Sequence, residues 1–225
     1  MSSIPHTNPL TMSFTSNPTT TPFTVPAATY LKTHYPSTTT TNTSTNPTTN
    51  PTNIAVGALL FNPPPLPKSQ SQPQPKILLL QRSPADTLPN LWEIPGGACD
   101  VTDRSILHSV VRELHEETGL TAREIGLVVR EQGYGFSTSR GLRVLRFDFL
   151  VNVDFCGEVR LEPSEHQAFC WAGEEDVRNG RCGDVELRFT SVAQKEIILE
   201  GFELWTRMVE NREGDERARG AIEVG

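Results

Sequence analysis

Apolar and polar residues alternate along 142-LRVLRFDFLVNV-153, with Leu145, Phe147, Phe149, Val151 and Val153 on every second position. A period of two marks a strand with one buried face. The run 55-AVGALLF-61 reads as a buried strand and 76-KILLLQR-82 as a second one. The two look like a strand pair joined by a long surface loop, 62-NPPPLPKSQSQPQP-75, rich in Pro and Gln. Further short strands are expected at 91-LWEIPGG-97, 125-IGLVVREQG-133, 158-EVRLEP-163 and 168-AFCWA-172. The spacing predicts a helix over 104–118, with Asp103 as N-cap and Gly119 as C-cap, and an amphipathic closing helix over 190–210. The order β-β-β-α-β-β-β-β-α points to one mixed-sheet α/β domain of about 155 residues, enough for its own core.

The first 53 residues follow another pattern. The stretch 37-STTTTNTSTNPTTNPTN-53 holds almost only Ser, Thr, Asn and Pro, and cannot bury enough apolar surface to offset the entropy of ordering. The organisation expected is a disordered arm over 1–53, a domain over 54–210 and a flexible, charged tail over 211–225. One island, 23-FTVPAATYLKTHYP-36, interrupts the arm. It either packs a short turn or helix on the domain through Phe23, Val25, Tyr30 and Leu31, or is a less polar part of the arm.

Composition narrows the function. The chain has 225 residues, 36% hydrophobic and 21% charged, with a formal net charge of −7 and a pI near 5.3. This argues against non-specific binding to nucleic acid polymers or anionic membranes, which needs a basic surface. It leaves room for a nucleotide substrate whose charge a metal neutralises. The four cysteines, Cys99, Cys156, Cys170 and Cys182, are scattered and fit reduced thiols. No run reaches the roughly 18 apolar residues of a membrane span. Without an early basic region to suggest a targeting segment, the default compartment is the cytoplasm or nucleus.

The helix around 112-RELHEETGL-120 carries the candidate chemistry. On a wheel at about 100° per residue, Ile106, Leu107, Val110, Val111 and Leu114 share a buried arc of about 140°. Glu113, Glu116 and Glu117 share an arc of about 100° that overlaps its edge, related by i, i+3 and i+4. Like charges so placed are frustrated, more so at a core edge where desolvation disfavours the charged form. They lie near the helix C-terminus, so they do not compensate its dipole. A tight glycine turn, 95-PGG-97, precedes the helix and lets backbone approach a metal or phosphate. Oxygen ligands without Cys or His suit a hard cation, Mg²⁺ or Mn²⁺.

At these residues the chain resembles the Nudix hydrolase family. The segment 96-GGACDVTDRSILHSVVRELHEETGL-120 follows the pattern G-x5-E-x7-R-E-U-x-E-E-x-G-U, where U is aliphatic. Its second half matches at every defined position, and 78-LLLQRSPADTLPNLWEIPGG-97 resembles the lead-in. The resemblance covers roughly 54–210. Its first half departs from the pattern: counted from Gly97 the Glu position falls on Asp103, and counted back from Arg112 it falls on Arg104.

The resemblance implies the α/β Nudix fold, a mixed β-sheet sandwiched between α-helices. It implies a metal-dependent hydrolase that cleaves the diphosphate bond of a nucleoside diphosphate linked to another moiety. Glu116 and Glu117 would be the main ligands of Mg²⁺ or Mn²⁺, helped by the Gly96 carbonyl. Glu113 would bind metal or orient the attacking water, held in place by Arg112. A later Glu, Glu165 first and Glu162 second, would be ligand or base. His166 is open between a base and a structural hydrogen bond. Arg82, Tyr134 and Phe136 are the substrate-binding candidates, whereas Trp92 and Trp171 read as core. Two other readings stand beside hydrolysis: a non-catalytic module of the same fold that binds nucleotide or protein, and, ranked below it, an isomerase of a diphosphate-bearing substrate.

Overall fold

The structure, a computed structural model, describes residues 13–36, 50–62, 74–153 and 158–222, the last eleven of these by backbone alone. The low-complexity stretch 37–49, most of the Pro- and Gln-rich loop (63–73) and Cys156 lie outside the described residues. In chain order the elements begin with β1 (Thr15–Ser16), a 3-10 helix (Pro18–Phe23), α1 (Ala27–His34), β2 (Asn53–Leu60), β3 (Lys76–Arg82) and β4 (Trp92–Glu93). There follow α2 (Ile106–Thr118), β5 (Ala122–Val128), β6 (Tyr134–Ser137), β7 (Arg143–Val153) and β8 (His166–Gly173). Then come α3 (Glu174–Asn179), β9 (Arg181–Cys182), β10 (Val185–Glu186) and α4 (Val192–Ile222).

β7 is the spine of a mixed sheet in the order β1-β5-β7-β2, with β6 also on β7. β2 runs parallel to β7 with Val56 opposite Phe147, whereas β5 and β6 pair with β7 antiparallel. A three-stranded antiparallel sheet, β4-β3-β8, lies apart from it. The expected β2–β3 pair is therefore corrected: they belong to different sheets and meet at an isolated Phe61–Ile77 bridge. Both strands are apolar on both faces, as parallel or doubly covered strands are, and such a run does not say which neighbour it will choose.

Leu145, Phe147, Phe149, Val151 and Val153 of β7 pack with Ile106, Leu107, Val110, Val111 and Leu114 of α2 in one core. Leu150 faces a second core with Leu59, Ile77, Leu79 and Ile197, Ile198 and Phe202 of α4. The main sheet is thus sandwiched between α2 and α4. The polar positions of β7 are not solvated as period two implied. Arg146 and Asp148 are buried and ion-paired, Nε to Oδ1 2.8 Å.

Residues 13–36 of the arm are built onto the domain, including the island 23–36 that the sequence left open. Phe23 and Tyr30 are buried, and the Phe23 ring stands 4.8 Å from Phe147 and 5.1 Å from Phe149. The Asn17 side chain caps the 3-10 helix, and the Val25 carbonyl accepts from the Ile106 N–H at 3.0 Å. That N–H is one of the first-turn donors a helix leaves unpaired, so the arm completes the start of α2. Two further expectations change. Residues 158–163 form no strand and are held by the Arg160 N–H bond to Thr118 O, 2.8 Å. α4 runs to Ile222, past the point where a flexible tail was expected. Among the described residues, no helix is long and apolar enough to cross a membrane.

Candidate metal and phosphate site

The glycine turn is built by β2. The Val56 and Ala58 N–H groups donate to Gly97 O (2.9 Å) and Pro95 O (2.8 Å), and the Cys99 N–H donates to Ile54 O (2.9 Å). This pins 95–99 along β2. Gly96 has φ 150°, and a Cβ there would stand 2.2 Å from Val56 O. A Cβ on Gly97 would stand 2.7 Å from Glu113 Oε2. Both positions are reserved for glycine, by backbone at the first and by the Glu113 carboxylate at the second.

α2 begins two residues later than expected. Its N-cap is Ser105, whose hydroxyl accepts from the His108 N–H at 3.2 Å. Asp103 has other work: it is 8% exposed and binds the Arg112 guanidinium through both oxygens, Nε to Oδ1 3.0 Å and Nη2 to Oδ2 2.9 Å. The Ser109 hydroxyl (2.7 Å) and Asp100 N–H (2.9 Å) also donate to its Oδ2. Burial opposes ionisation, but the bonds from Arg112 and Ser109 outweigh it and hold the Asp103 carboxyl below its usual range. Arg104, the other claimant to that position, is exposed. The two registers left open by the sequence thus separate. Asp103 touches the Arg of the motif, and the extra residue sits in the turn before the helix.

Arg112 is the hub. Besides Asp103 it donates to Glu113 Oε1 (2.8 Å), Glu116 Oε2 (2.9 Å) and Ala98 O (3.0 Å). Those bonds tie the glycine turn, the pre-helix loop and the acidic face of α2 into one unit.

Glu113, Glu117 and Glu165 line a cavity of about 320 Å³, together with Arg82, Asp86, Gly96, Gly97, Ala98 and His166. Glu117 is 4% exposed and its Oε2 accepts from the Gly96 N–H at 2.7 Å. Burial raises the Glu117 carboxyl well above its usual range, reinforced by the Glu93 charge. Burial also raises Glu113, although Arg112 pulls the other way. Two carboxylates whose charged forms are disfavoured face one space. That is the frustration read from the helix wheel, and a cation in the cavity would relieve it. The donor set is rich in oxygen and fits a divalent metal. A larger, more open groove of about 630 Å³ lies beside β1 and β5, lined by 13–15 and 121–124. It shares no residue with the cavity.

Of the expected site residues, the fold brings together Gly96, Glu113, Glu117, Glu165 and Arg82. Arg112 stands behind them. Glu116 does not line the cavity; its side chain is 48% exposed and turned to Arg112. Gly96 donates its N–H to Glu117 Oε2. Arg82 is already engaged, with Glu93 Oε1 at 2.5 Å and Asp86 Oδ1 at 2.7 Å. Tyr134 and Phe136, on β6, lie outside the cavity lining, their rings 6.3 Å apart. Burial pushes the Tyr134 hydroxyl up to about 12. Glu162 caps its own turn by accepting from Ser164 N–H and Oγ at 3.2 and 2.8 Å. Trp92 is buried, as expected of a core residue.

Sequence reading missed Glu93 and Asp86. Glu93 is 5% exposed between Trp92 and Ile94, and a carboxylate inside an apolar strand was the available signal.

A family model described as NUDIX domain matches residues 51–190. No curated protein matches the chain at a significant level. Among solved structures, a MutT protein from Methanosarcina mazei Go1 is 25% identical, covers 69% of this chain and 96% of its own, with a TM-score of 0.49. A MutT NUDIX hydrolase from Burkholderia pseudomallei is 20% identical, with coverages of 66% and 96% and a TM-score of 0.48. A C. elegans Ap4A hydrolase complex is 18% identical, with coverages of 68% and 98% and a TM-score of 0.47. Likeness at this level does not carry a substrate from one protein to another.

Proposed function

The chain belongs to the Nudix hydrolase family, its NUDIX domain spanning residues 51–190, and on that premise we propose that it cleaves the diphosphate bond of a nucleoside diphosphate linked to another group, with Mg²⁺ or Mn²⁺ as cofactor. The observation that carries this reading is the convergence of Glu113, Glu117 and Glu165 on one cavity whose wall is the Gly96–Gly97 turn.

Glu117, Glu165 and Glu113 would hold the metal, with Glu116 swinging in from the edge of α2. A metal held there would supply charge neutralisation for the phosphates and a lowered pKa for the attacking water. Glu113, held through Oε1 by Arg112, orients the water for in-line substitution at phosphorus. Arg112 keeps that carboxylate in place and is itself held by Asp103. The glycine turn lets the diphosphate approach backbone without a side chain between them. Arg82 lies at the cavity wall, its guanidinium shared between Glu93 and Asp86. Tyr134 and Phe136 are proposed as the surface on which the nucleoside packs.

The non-catalytic reading rests on the altered first half of the motif and on the long arms. Asp103 bonded to Arg112 supports the catalytic reading instead. Among the described residues, Cys99, Cys170 and Cys182 are free thiols, which fits a cytoplasmic or nuclear setting. The test is a panel of nucleoside diphosphate derivatives with Mg²⁺ or Mn²⁺, read by phosphate release through a coupled phosphatase. Metal-dependent cleavage of one member, lost in Glu117→Gln, is expected. Cleavage of none, or full activity in that variant, removes the assignment.

A further inference from the structure

His166 opens β8 at the cavity wall, 3% exposed. One of its ring nitrogens and one carboxylate oxygen from each of Glu117 and Glu165 all lie within 4.8 Å of one another. Ligand atoms about 2.1–2.3 Å from one ion stand about 3 Å apart when adjacent and up to about 4.5 Å when opposite. The three groups therefore need to close by little to share a cation.

The hydrogen bonds of the ring point the same way. Nε2 lies 3.2 Å from Glu93 Oε1, which also accepts from Arg82 Nη1 at 2.5 Å. A carboxylate held by a guanidinium accepts hydrogen bonds, so Nε2 carries the ring proton. The lone pair is then on Nδ1, which is buried and has no hydrogen-bond partner among the described residues. A buried acceptor left in that state costs free energy unless something occupies it. A carboxylate fixing one imidazole N–H while the other nitrogen stays free is the usual support of a metal-binding histidine.

Resting on the metal-dependent reading above, we propose that His166 is a nitrogen ligand of the divalent cation, positioned by Glu93, and that it biases the site toward first-row transition ions such as Mn²⁺ over Mg²⁺. Imidazole suits ions of borderline softness, while Mg²⁺ takes oxygen almost alone. Glu93 is a positioning residue: it holds the tautomer and the ring plane and need not touch the ion. Arg82, shared between Glu93 and Asp86, fixes Glu93 in turn.

The experiment is pulsed electron paramagnetic resonance on the full chain loaded with Mn²⁺ alone. Bound Mn²⁺ with ¹⁴N modulation is expected, replaced by the ¹⁵N pattern when histidine is isotopically labelled. The chain has five histidines, so His166→Gln assigns the signal and should abolish it. Titration of that variant should show Mn²⁺ affinity down by roughly tenfold or more and Mg²⁺ affinity changed by less than about threefold. Bound Mn²⁺ with no nitrogen modulation in the unaltered protein overturns the proposal and leaves the oxygen site standing. Nitrogen modulation that persists in both His166→Gln and His166→Asn also overturns it. Absence of any Mn²⁺ binding removes the underlying metal reading as well.

Discussion

Replacing Asp103 by asparagine keeps the shape of the side chain and removes its charge. Arg112 donates to both Asp103 oxygens, at 3.0 and 2.9 Å. Bonds to a charged group contribute about 1.5–3 kcal/mol each, so the pair is worth about 3–6 kcal/mol. Asparagine keeps one acceptor, worth about 1 kcal/mol, and turns an N–H₂ toward donors. Arg112 retains Glu113, Glu116 and the Ala98 carbonyl, and its side chain is 18% exposed. Those partners and the access of water reduce the net loss to about 2–3 kcal/mol. In urea, with a slope of about 2 kcal/mol per molar, the midpoint should fall by about 1 M at unchanged slope. Glu113 loses part of its anchor, so kcat should fall by about tenfold with KM little changed. Arg104→Ala should stay within about 0.5 kcal/mol of wild type, as exposed positions do. The reasoning fails if Asp103→Asn is neutral in both assays, or if Arg104→Ala is the more damaging change.

Other outcomes follow from the same geometry. Phe23→Ala should cost about 3–5 kcal/mol in chemical denaturation, because the ring fills the core against Phe147 and Phe149; a neutral result would mean the arm is not part of the folded unit. Burial raises Glu117 and Glu113 above the usual carboxyl range, so the folded chain binds these protons more tightly than the unfolded chain. The associated stability is complete below the ordinary glutamate range and is lost as pH rises through the raised values. In chelator, the Tm advantage of Glu117→Gln over wild type should therefore grow between pH 5 and pH 8, and a constant difference would contradict the burial argument.

How far the sequence could be read varies element by element. α2 was legible because its apolar stripe, its Gly119 cap and its three glutamates obey one helical period, and the structure keeps all three. The start of α2 was not. Asp103 and Ser105 are both good N-caps, and only the position of Arg112 in space decides which is free to cap. β2 and β3 were legible as strands, but their partners were not, since a strand apolar on both faces carries no register signal. In the arm, the low-complexity stretch dominates the composition, so packing could be read only as one of two alternatives for 23–36, where Phe23 and Tyr30 are buried. At the site, Glu113 and Glu117 were proposed from their spacing on one helix face, and Glu165 from what the family resemblance implies for a later loop; all three line the cavity. Glu93 and the coupling of His166 to it were not legible, because β4 and β8 are 73 positions apart at that contact and meet only through β3.

Glu117 and its neighbours are proposed to form a divalent-metal site. The decisive measurement is calorimetric titration of metal-free protein with Mn²⁺, in wild type and in Glu117→Gln. Saturable binding is expected in wild type, with proton release because raised carboxyls must ionise to bind, and its loss in the variant. Equal binding heats in both proteins, or none in wild type, would contradict it.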